Sequence, residues 1–476
     1  MNRCLFAAAL LAASSPALAQ EEAAEPKNII VMIADGAGYN MLAATRYWNG
    51  APLTADDRAW QRASLATYAL RRDKDPLGTA QDEDIAYDSE ASWDAEPLAG
   101  DSECAPGYPA GFAGYEWNRC SYPDSANTMS AMMTGVRTYN GAINVDGMAQ
   151  PVQSVAEAAN TAGRRVGSIS TVPFSHATVA SGGGAHNADR GDYHAIAAEM
   201  LGSETLDFIA GGGNPGFDGD GQPLAEGAPD ALRYRWISPE SWTALRDGSS
   251  GWTLVEARSD IQALGETPRD GRVLVLPQVA ATMQVERGAP GIPDVRTSVP
   301  GDVAKLPTVP TLAEMTRAAL TQLQNDEGMF LQIEGGAVDW AMHGNILGRA
   351  IEEYSDFDAA VRAVSDWVDD PANGSNWDNT LVIVTADHDH LLFGPDEDVP
   401  FQPVENRGPG ELPGHKWWSG SHSNQLVPFF VRGAGAQRFI AAADEIDRAV
   451  VSGQVVGRGR YLTQPEMGAI LLDLAD

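Results

Sequence analysis

Cysteine is scarce in this sequence, with three residues among 476. So few make a poor zinc site by themselves. Positive charge is scarce too: 32 Lys and Arg stand against 65 Asp and Glu, a formal net charge of -33. A surface this acidic makes nucleic acid a poor partner and favours solubility, in salty media included. It also sets a condition on function, because an enzyme acting on anionic substrates here needs cations in its site, either metal or Arg. Long apolar runs are the third absence. Beyond the first residues none reaches about 18 uninterrupted apolar positions, so no membrane anchor is indicated.

The start, MNRCLFAAALLAASSPALAQ, has one Arg, an apolar run and an Ala-Leu-Ala ending. It reads as a secretory signal over residues 1–19, cleaved after Ala19, which leaves residues 20–476 as the mature, soluble chain. Loss of Arg3 takes the net charge from -33 to -34. Cys4 leaves with the signal, and Cys104 and Cys120 remain, sixteen positions apart. In an oxidising compartment a disulfide between them is the leading reading, worth roughly 3 kcal/mol for a loop of about 15 residues; a free buried pair is the alternative. A hydrophobic content of 43% with 12 Trp is enough for a large core.

Apolar runs rich in Val and Ile recur at Asn28 to Ala34, Arg165 to Thr171, Asp207 to Ala210, Met329 to Ile333, Thr380 to Thr385 and Gln425 to Val431. Several are followed by segments of helical spacing, such as Thr311 to Leu323 and Leu347 to Val368. Short apolar runs alternating with helices predict an α/β fold, a doubly wound and mostly parallel sheet covered on both faces. Ligands then bind beyond the carboxyl ends of the strands. Residues 71–121, rich in Asp, Glu, Gly and Pro, and residues 214–305, rich in Gly, Pro and Trp, break the alternation and read as insertions decorating the core.

The polar residues collect where that fold wants them. In IEGGAVDWAMH, directly after a strand, Asp339 and His343 are spaced i, i+4 on one helix face and can offer two ligands to one metal. A third, such as His422 in SGSHS, completes a catalytic zinc set. TADHDH brings Asp387 and His388 to the end of the Thr380 to Thr385 run, and KNIIVMIADGAG ends a strand in Asp35. An acid, or an acid plus His, at each of three strand ends is what a two-metal site needs. The stretch SYPDSANTMSAMMTG offers five hydroxyls. If Asp124 or Ser125 caps the helix Ser125 to Met133, a hydroxyl there faces free N–H groups and the positive end of the helix dipole, where a phosphate is stabilised. Ser125 as a mere N-cap is the competing reading. Thr128, Ser130 and Thr134 fall inside the helix.

Taken together these segments resemble the metal-dependent alkaline phosphatases. The resemblance runs from about Lys27 to Gly435, interrupted by the two insertions. It rests on NIIVMIADGAG, PDSANTMSAMMTGVRTYNGAINVDG, FLQIEGGAVDWAMH, NTLVIVTADHDH and SGSHS in that order. It implies that Asp339, His343 and His422 hold one Zn2+, that Asp35, Asp387 and His388 hold a second, and that Ser125 is the serine that becomes phosphorylated. A third, Mg2+ site is implied at the shared Asp35, Glu334 and the spaced pair His176 and Thr178, where His176 in place of an Asp admits Zn2+ instead. Arg190, four residues after His186 as in the family, is the implied phosphate-binding Arg, although SGGGAHNADR carries one extra residue. Trp340 stands where members vary between Lys, His and Trp, and His390 is implied to orient a ligand. Thr128 is the fallback nucleophile.

The activity so implied is hydrolysis of small phosphate monoesters in the periplasm or outside the cell, by a protein that pairs as a homodimer. Three rivals stand beside it. A phosphodiesterase or nucleotide pyrophosphatase of the same superfamily shares the two-zinc core without the third site. A sulfatase lacks support, since no C/S-x-P-x-R setting is present. A secreted metal-binding protein would use the same ligands structurally.

Overall fold

The computed structural model describes residues 25–476, so the expected signal segment and Cys4 lie outside the described residues. Eleven strands form the central sheet: β1 (Asn28–Ile33), β2 (Gln61–Ala66), β3 (Arg165–Pro173), β4 (Phe208–Gly212), β5 (Trp252–Val255), β6 (Arg272–Val275), β7 (Met329–Glu334), β8 (Thr380–Thr385), β9 (Val427–Gly433), β10 (Glu445–Asp447) and β11 (Gly459–Thr463). Their order is β10-β11-β2-β9-β8-β1-β7-β3-β4-β6-β5. From β8 through β1 and β7 to β5 all pairings are parallel, while β9 runs antiparallel to both β8 and β2. Every residue of β1, β7 and β8 is buried. That is why these strands read as unbroken apolar runs rather than alternating ones. Three strands run two residues further than the sequence reading, β3 into Val172–Pro173, β4 into Gly211–Gly212 and β9 into Arg432–Gly433, and β9 also starts two residues later, at Val427.

The helices that matter to the site are α1 (Ser125–Thr134), α2 (Ala177–Gly182), α3 (Leu312–Leu323), α4 (Ala337–His343) and α5 (Leu347–Asp369). Thr311 and Glu314 form a reciprocal capping box at the start of α3, and Gly135, at φ 69°, ends α1 in the left-handed conformation. Among the described residues no helix is long and apolar enough to cross a membrane.

The 214–305 stretch does more than decorate the core. Its strands β5 and β6 extend the parallel sheet to one edge. Each is only four residues long and set between Gly-rich turns, so composition averaged over the stretch hides it. The 71–121 stretch has its own small core, in which Trp93, Phe112 and Tyr115 pack with Phe401 and Trp418. It is moored to the far edge of the sheet by Asp447 on β10, which accepts from Tyr87 Oη at 3.1 Å, Ser89 Oγ at 2.6 Å and Trp93 Nε1 at 3.0 Å. Cys104 and Cys120 form a disulfide within it, with a Cα–Cα distance of 5.2 Å.

Candidate active site

The central strand β1 lies between β7 and β8, and the carboxyl ends of all three open onto one crevice. From β1 the chain passes through Asp35 to Gly36, whose φ of 74° is a left-handed value; a Cβ there would lie 2.8 Å from His390 Cδ2. Gly36 N donates to Asp387 Oδ1 at 3.0 Å, so the turn after β1 holds the carboxylate that follows β8. After β7, Gly335–Gly336 lead into α4, where Gly336 has no room for a side chain: its Cβ would sit 2.5 Å from Glu334 Oε1. One turn on, α4 presents Asp339 and His343 together, His343 Nε2 lying 3.4 Å from Asp339 Oδ2.

His422 enters from a separate hairpin, Asp389–Phe393 paired with Lys416–Ser423, whose register sets His390 opposite His422. His422 Nε2 is 3.0 Å from His343 Nε2 and 3.3 Å from Asp339 Oδ1. The Nδ1 of His422 lies 2.8 Å from the Pro123 carbonyl, and that of His343 lies 2.8 Å from the Gly420 carbonyl. A carbonyl only accepts, so both Nδ1 atoms carry the proton and both Nε2 lone pairs point at the space shared with Asp339. His390 Nε2 meets Asp339 Oδ1 at 2.7 Å, fixing that carboxylate from the other side. A few ångströms away, His388 Nε2 lies 3.3 Å from Asp35 Oδ1 and 3.4 Å from Asp387 Oδ2. Among the described residues two close clusters of buried metal-binding atoms therefore exist, Asp339 with His388, His390 and His422, and Asp35 with Asp387 and His388. His388 is common to both, and the exposed His343 belongs to neither, reaching Asp339 and His422 from the open side of the cavity.

The two halves differ electrostatically. Burial acts against the Asp339 charge, but the surrounding imidazoles His343, His390 and His422 win and hold its carboxyl well below the usual range. Around Asp35 the neighbouring imidazole, His388, is kept neutral by burial and offers no opposing charge: burial and the charges of Asp387, Asp339 and Glu334 push the Asp35 carboxyl well up. Burial likewise raises Glu334 to about 8 and Asp387 to about 6. Neither carboxylate oxygen of Asp35 or Glu334, nor the Thr178 hydroxyl, has a hydrogen-bond partner among the described residues. Buried carboxylates crowded together without donors cost free energy unless a cation joins them. Burial keeps His388 and His390 in the neutral form, the one that ligates metal. The residues present thus fit divalent cations.

The five hydroxyls of the 121–135 stretch separate cleanly. Asp124, not Ser125, is the N-cap of α1, accepting from Asn127 N at 3.1 Å. That frees Ser125, at the first helical position, to face the cavity with its Oγ 3.2 Å from His388 Nε2. Ser121 donates to Trp117 O, Thr128 to Asp124 O, Ser130 to Ala142 O and Thr134 to Ser130 O, so each of these is engaged with backbone. Arg190 lines the same cavity. Its Nη1 donates to Asp124 Oδ2 at 3.1 Å, its Nη2 lies 3.3 Å from His176 Nε2, and its backbone N donates to Gly141 O at 2.7 Å. Three residues before it, Asn187 pairs with Ile143 across two backbone bonds.

Other expected residues fall less simply. His176 caps the start of α2 and faces Arg190, and it belongs to neither close metal-binding cluster. Burial and the Arg190 charge lower its imidazole to about 3. His186 points elsewhere, between Glu157 and Glu199; burial opposes its charge, yet these two acids raise it to about 10. The sequence reading missed Lys74, Tyr122, Tyr193, Arg235 and Trp236, which all line the cavity. Tyr122 lies inside the SYPDSANTMSAMMTG stretch, where attention went to the hydroxyls, and the other four sit in no motif and at no strand end. The only available signal was the scarcity of Lys and Arg, which makes each cation near a pocket informative.

The alkaline phosphatase family model matches residues 110–403, more than half of the chain. The chain belongs to the alkaline phosphatase family. Among curated alkaline phosphatases it is 29% identical to alkaline phosphatase 3 of Bacillus subtilis over 370 residues, which cover 76% of this chain and 61% of that one. It is 30% identical to the alkaline phosphatase of Escherichia coli over 305 residues, covering 58% of this chain and 60% of the relative. The matched stretches thus span less than two thirds of these relatives. In fold the chain is similar to the alkaline phosphatase of the Antarctic bacterium TAB5, with a TM-score of 0.60 and 22% identity over 95% of this chain and 99% of that one. The Thermus thermophilus alkaline phosphatase gives a TM-score of 0.58 at 17% identity, covering 97% and 94%. The family is metal-dependent, in keeping with the two buried clusters described above.

Proposed function

We propose that this alkaline phosphatase family member hydrolyses phosphate monoesters through a phosphoserine at Ser125. The observation that carries the reading is the convergence in one cavity of an uncommitted hydroxyl at a helix start, a buried Arg, and two clusters of His and carboxylate at strand ends. Asp339, His343 and His422 would hold one zinc, and Asp35, Asp387 and His388 a second. Glu334, Thr178 and Asp35 would hold a third cation, Mg2+ or Zn2+, with His176 beside it; a variant of the TAB5 enzyme is described with Mg bound in its M3 site. Cations held there would neutralise phosphoryl charge and lower the pKa of a hydroxyl in contact with them.

The chain's own groups do the rest. Arg190 forks two phosphoryl oxygens and so turns the phosphorus toward Ser125, with Asp124 holding the guanidinium in aim. Ser125 Oγ attacks in line while the ester oxygen leaves on the opposite side and takes up a proton from solvent; the serine proton goes to solvent. Water then attacks the phosphoserine phosphorus and gives a proton to solvent, the bond between phosphorus and Ser125 Oγ breaks, the Ser125 oxygen takes up a proton from solvent, and inorganic phosphate is released. The N–H groups at the start of α1 face the charge that builds on the transferred group. We further propose export of the chain through residues 1–19, with residues 20–476 as one catalytic unit bearing additions at 71–121 and 214–305.

The test is the ratio of turnover on a monoester and on a diester with the same leaving group, measured with metal content. A strong preference for the monoester is expected; a diester preference would transfer the reading to the phosphodiesterase branch, and metal-loaded protein inert on both would leave a binding role. Arg190→Lys is expected to lower monoester kcat/KM by about 10- to 100-fold, because a point charge cannot fork two oxygens. Activity unchanged in that variant would remove Arg190 from the phosphate site.

A further inference from the structure

The cavity around Ser125 has a volume of about 540 Å³, far more than a phosphoryl group occupies. One wall of the excess space comes from the 214–305 stretch, which sends Arg235 and Trp236 into it. Trp236 is only 4% exposed and packs edge-on against Tyr193 at a centroid distance of 4.5 Å and tilted against Trp340 at 6.2 Å. Ser175, adjacent to His176, donates to the Trp236 carbonyl at 2.8 Å, which ties this segment to the end of β3. On the Trp236 ring lies the guanidinium of Arg235, its Cζ 4.3 Å from the ring centroid. Arg235 makes no ion pair among the described residues. Burial raises the Glu286 carboxyl and the Arg235 charge acts against that, so an acid lies nearby, but none is within ion-pair distance; in a chain with twice as many acids as bases this leaves the Arg235 donors available for a ligand at the mouth of the cavity.

We infer that Arg235, Trp236, Tyr193 and Trp340 form a subsite for a planar heteroaromatic leaving group, so that nucleoside 5′-monophosphates are preferred substrates; this rests on the monoesterase reading above. A guanidinium lying on an aromatic ring keeps its outer face and its edge donors free. A nucleobase can stack on such a plane or on the neighbouring indoles, and its ring nitrogens and carbonyls accept from the guanidinium edge. Arg190 is committed to Asp124 and to the phosphoryl group, so the two arginines divide the ligand between them.

Adenosine 5′-monophosphate and ribose 5-phosphate share the same primary alcohol as leaving group and differ in the base, which makes their ratio of kcat/KM the readout. The wild-type protein is expected to favour the nucleotide by about 10-fold, through KM, since stacking is worth 1–3 kcal/mol per base. Arg235→Ala and Trp236→Leu should each bring the ratio toward one. Arg235 is exposed, so its variant keeps the test decisive if the buried Trp236 substitution fails to fold. A wild-type ratio near one, or an undiminished ratio in Arg235→Ala, overturns the subsite. Absence of hydrolysis of both esters by the wild-type protein overturns the phosphatase reading, and the subsite falls with it.

Discussion

Replacing Ser125 with alanine is expected to reduce turnover of a phosphate monoester by at least about a thousand-fold and to abolish acid-trappable phosphoprotein. Two features support the proposal that Ser125 bears the reaction. Asp124 takes over the capping of α1, so the serine hydroxyl is not spent on the helix. Its neighbours Ser121, Thr128, Ser130 and Thr134 all donate to backbone carbonyls. Binding should survive better than turnover, because Arg190 and the metal-binding clusters remain; inorganic phosphate is expected to inhibit the variant's residual activity near its wild-type concentration. Full turnover in Ser125→Ala would end the covalent mechanism. Retained phosphoprotein in that variant would move the nucleophile to Thr128, whose Oγ lies 3.5 Å from Asp387 Oδ2.

Stripping divalent metal with a chelator is expected to abolish turnover and to lower the melting temperature by a margin that widens as pH rises from 7 to 9. Asp35 is held well above the ordinary carboxyl range, and Glu334 at about 8, by burial first and then by the charges of Asp387 and Asp339. Their folded-state pKa values exceed the unfolded ones, so in this window the folded, metal-free protein binds more protons than the unfolded chain and loses stability as pH increases. Burial opposes the His422 charge, but Asp339 raises its pKa overall, and this works in the same direction. The histidines lowered by burial, His176, His388 and His390, contribute nothing to the slope above the ordinary imidazole range. His186, raised to about 10 between Glu157 and Glu199 against the cost of its burial, affects chelated and reloaded protein alike and drops out of the difference. Cations in the cluster favour the ionised carboxylates and so remove the slope. Paired thermal melts of chelated and zinc-reloaded protein at the two pH values check this, and a pH-independent gap would count against the cations bridging these carboxylates.

Much of this site was legible because its members sit at the ends of apolar strands. Asp35, Glu334, Asp387 and His388 follow runs that could only be buried strands, and the i, i+4 spacing of Asp339 and His343 needs no more than a helix after β7. His422 was legible only as a motif. Nothing local predicts that its strand pairs in register with Asp389–Phe393 or that Pro123 orients its ring, since both depend on how distant segments close. Arg235 and Trp236 were silent for a related reason: their positions follow from the path of the 214–305 stretch after it joins the sheet edge. The same holds for β5 and β6, too short to stand out against the Gly and Pro around them.

At Asp124 one carboxylate serves two elements. One oxygen caps α1, and the other pairs with Arg190, so the helix that carries the proposed nucleophile and the proposed phosphate-binding Arg are mechanically linked through a single residue. Burial works against its charge, and Arg190 is the main reason its carboxyl nevertheless stays below the ordinary range. Substitutions at positions 124, 125 and 190 should therefore be epistatic: the penalty of losing Asp124 is already partly incurred once Arg190 is gone, and the two together fall short of the sum of each alone. Drift at position 124 is constrained from both sides at once, and a lineage that changes it has to change its partner in the same step.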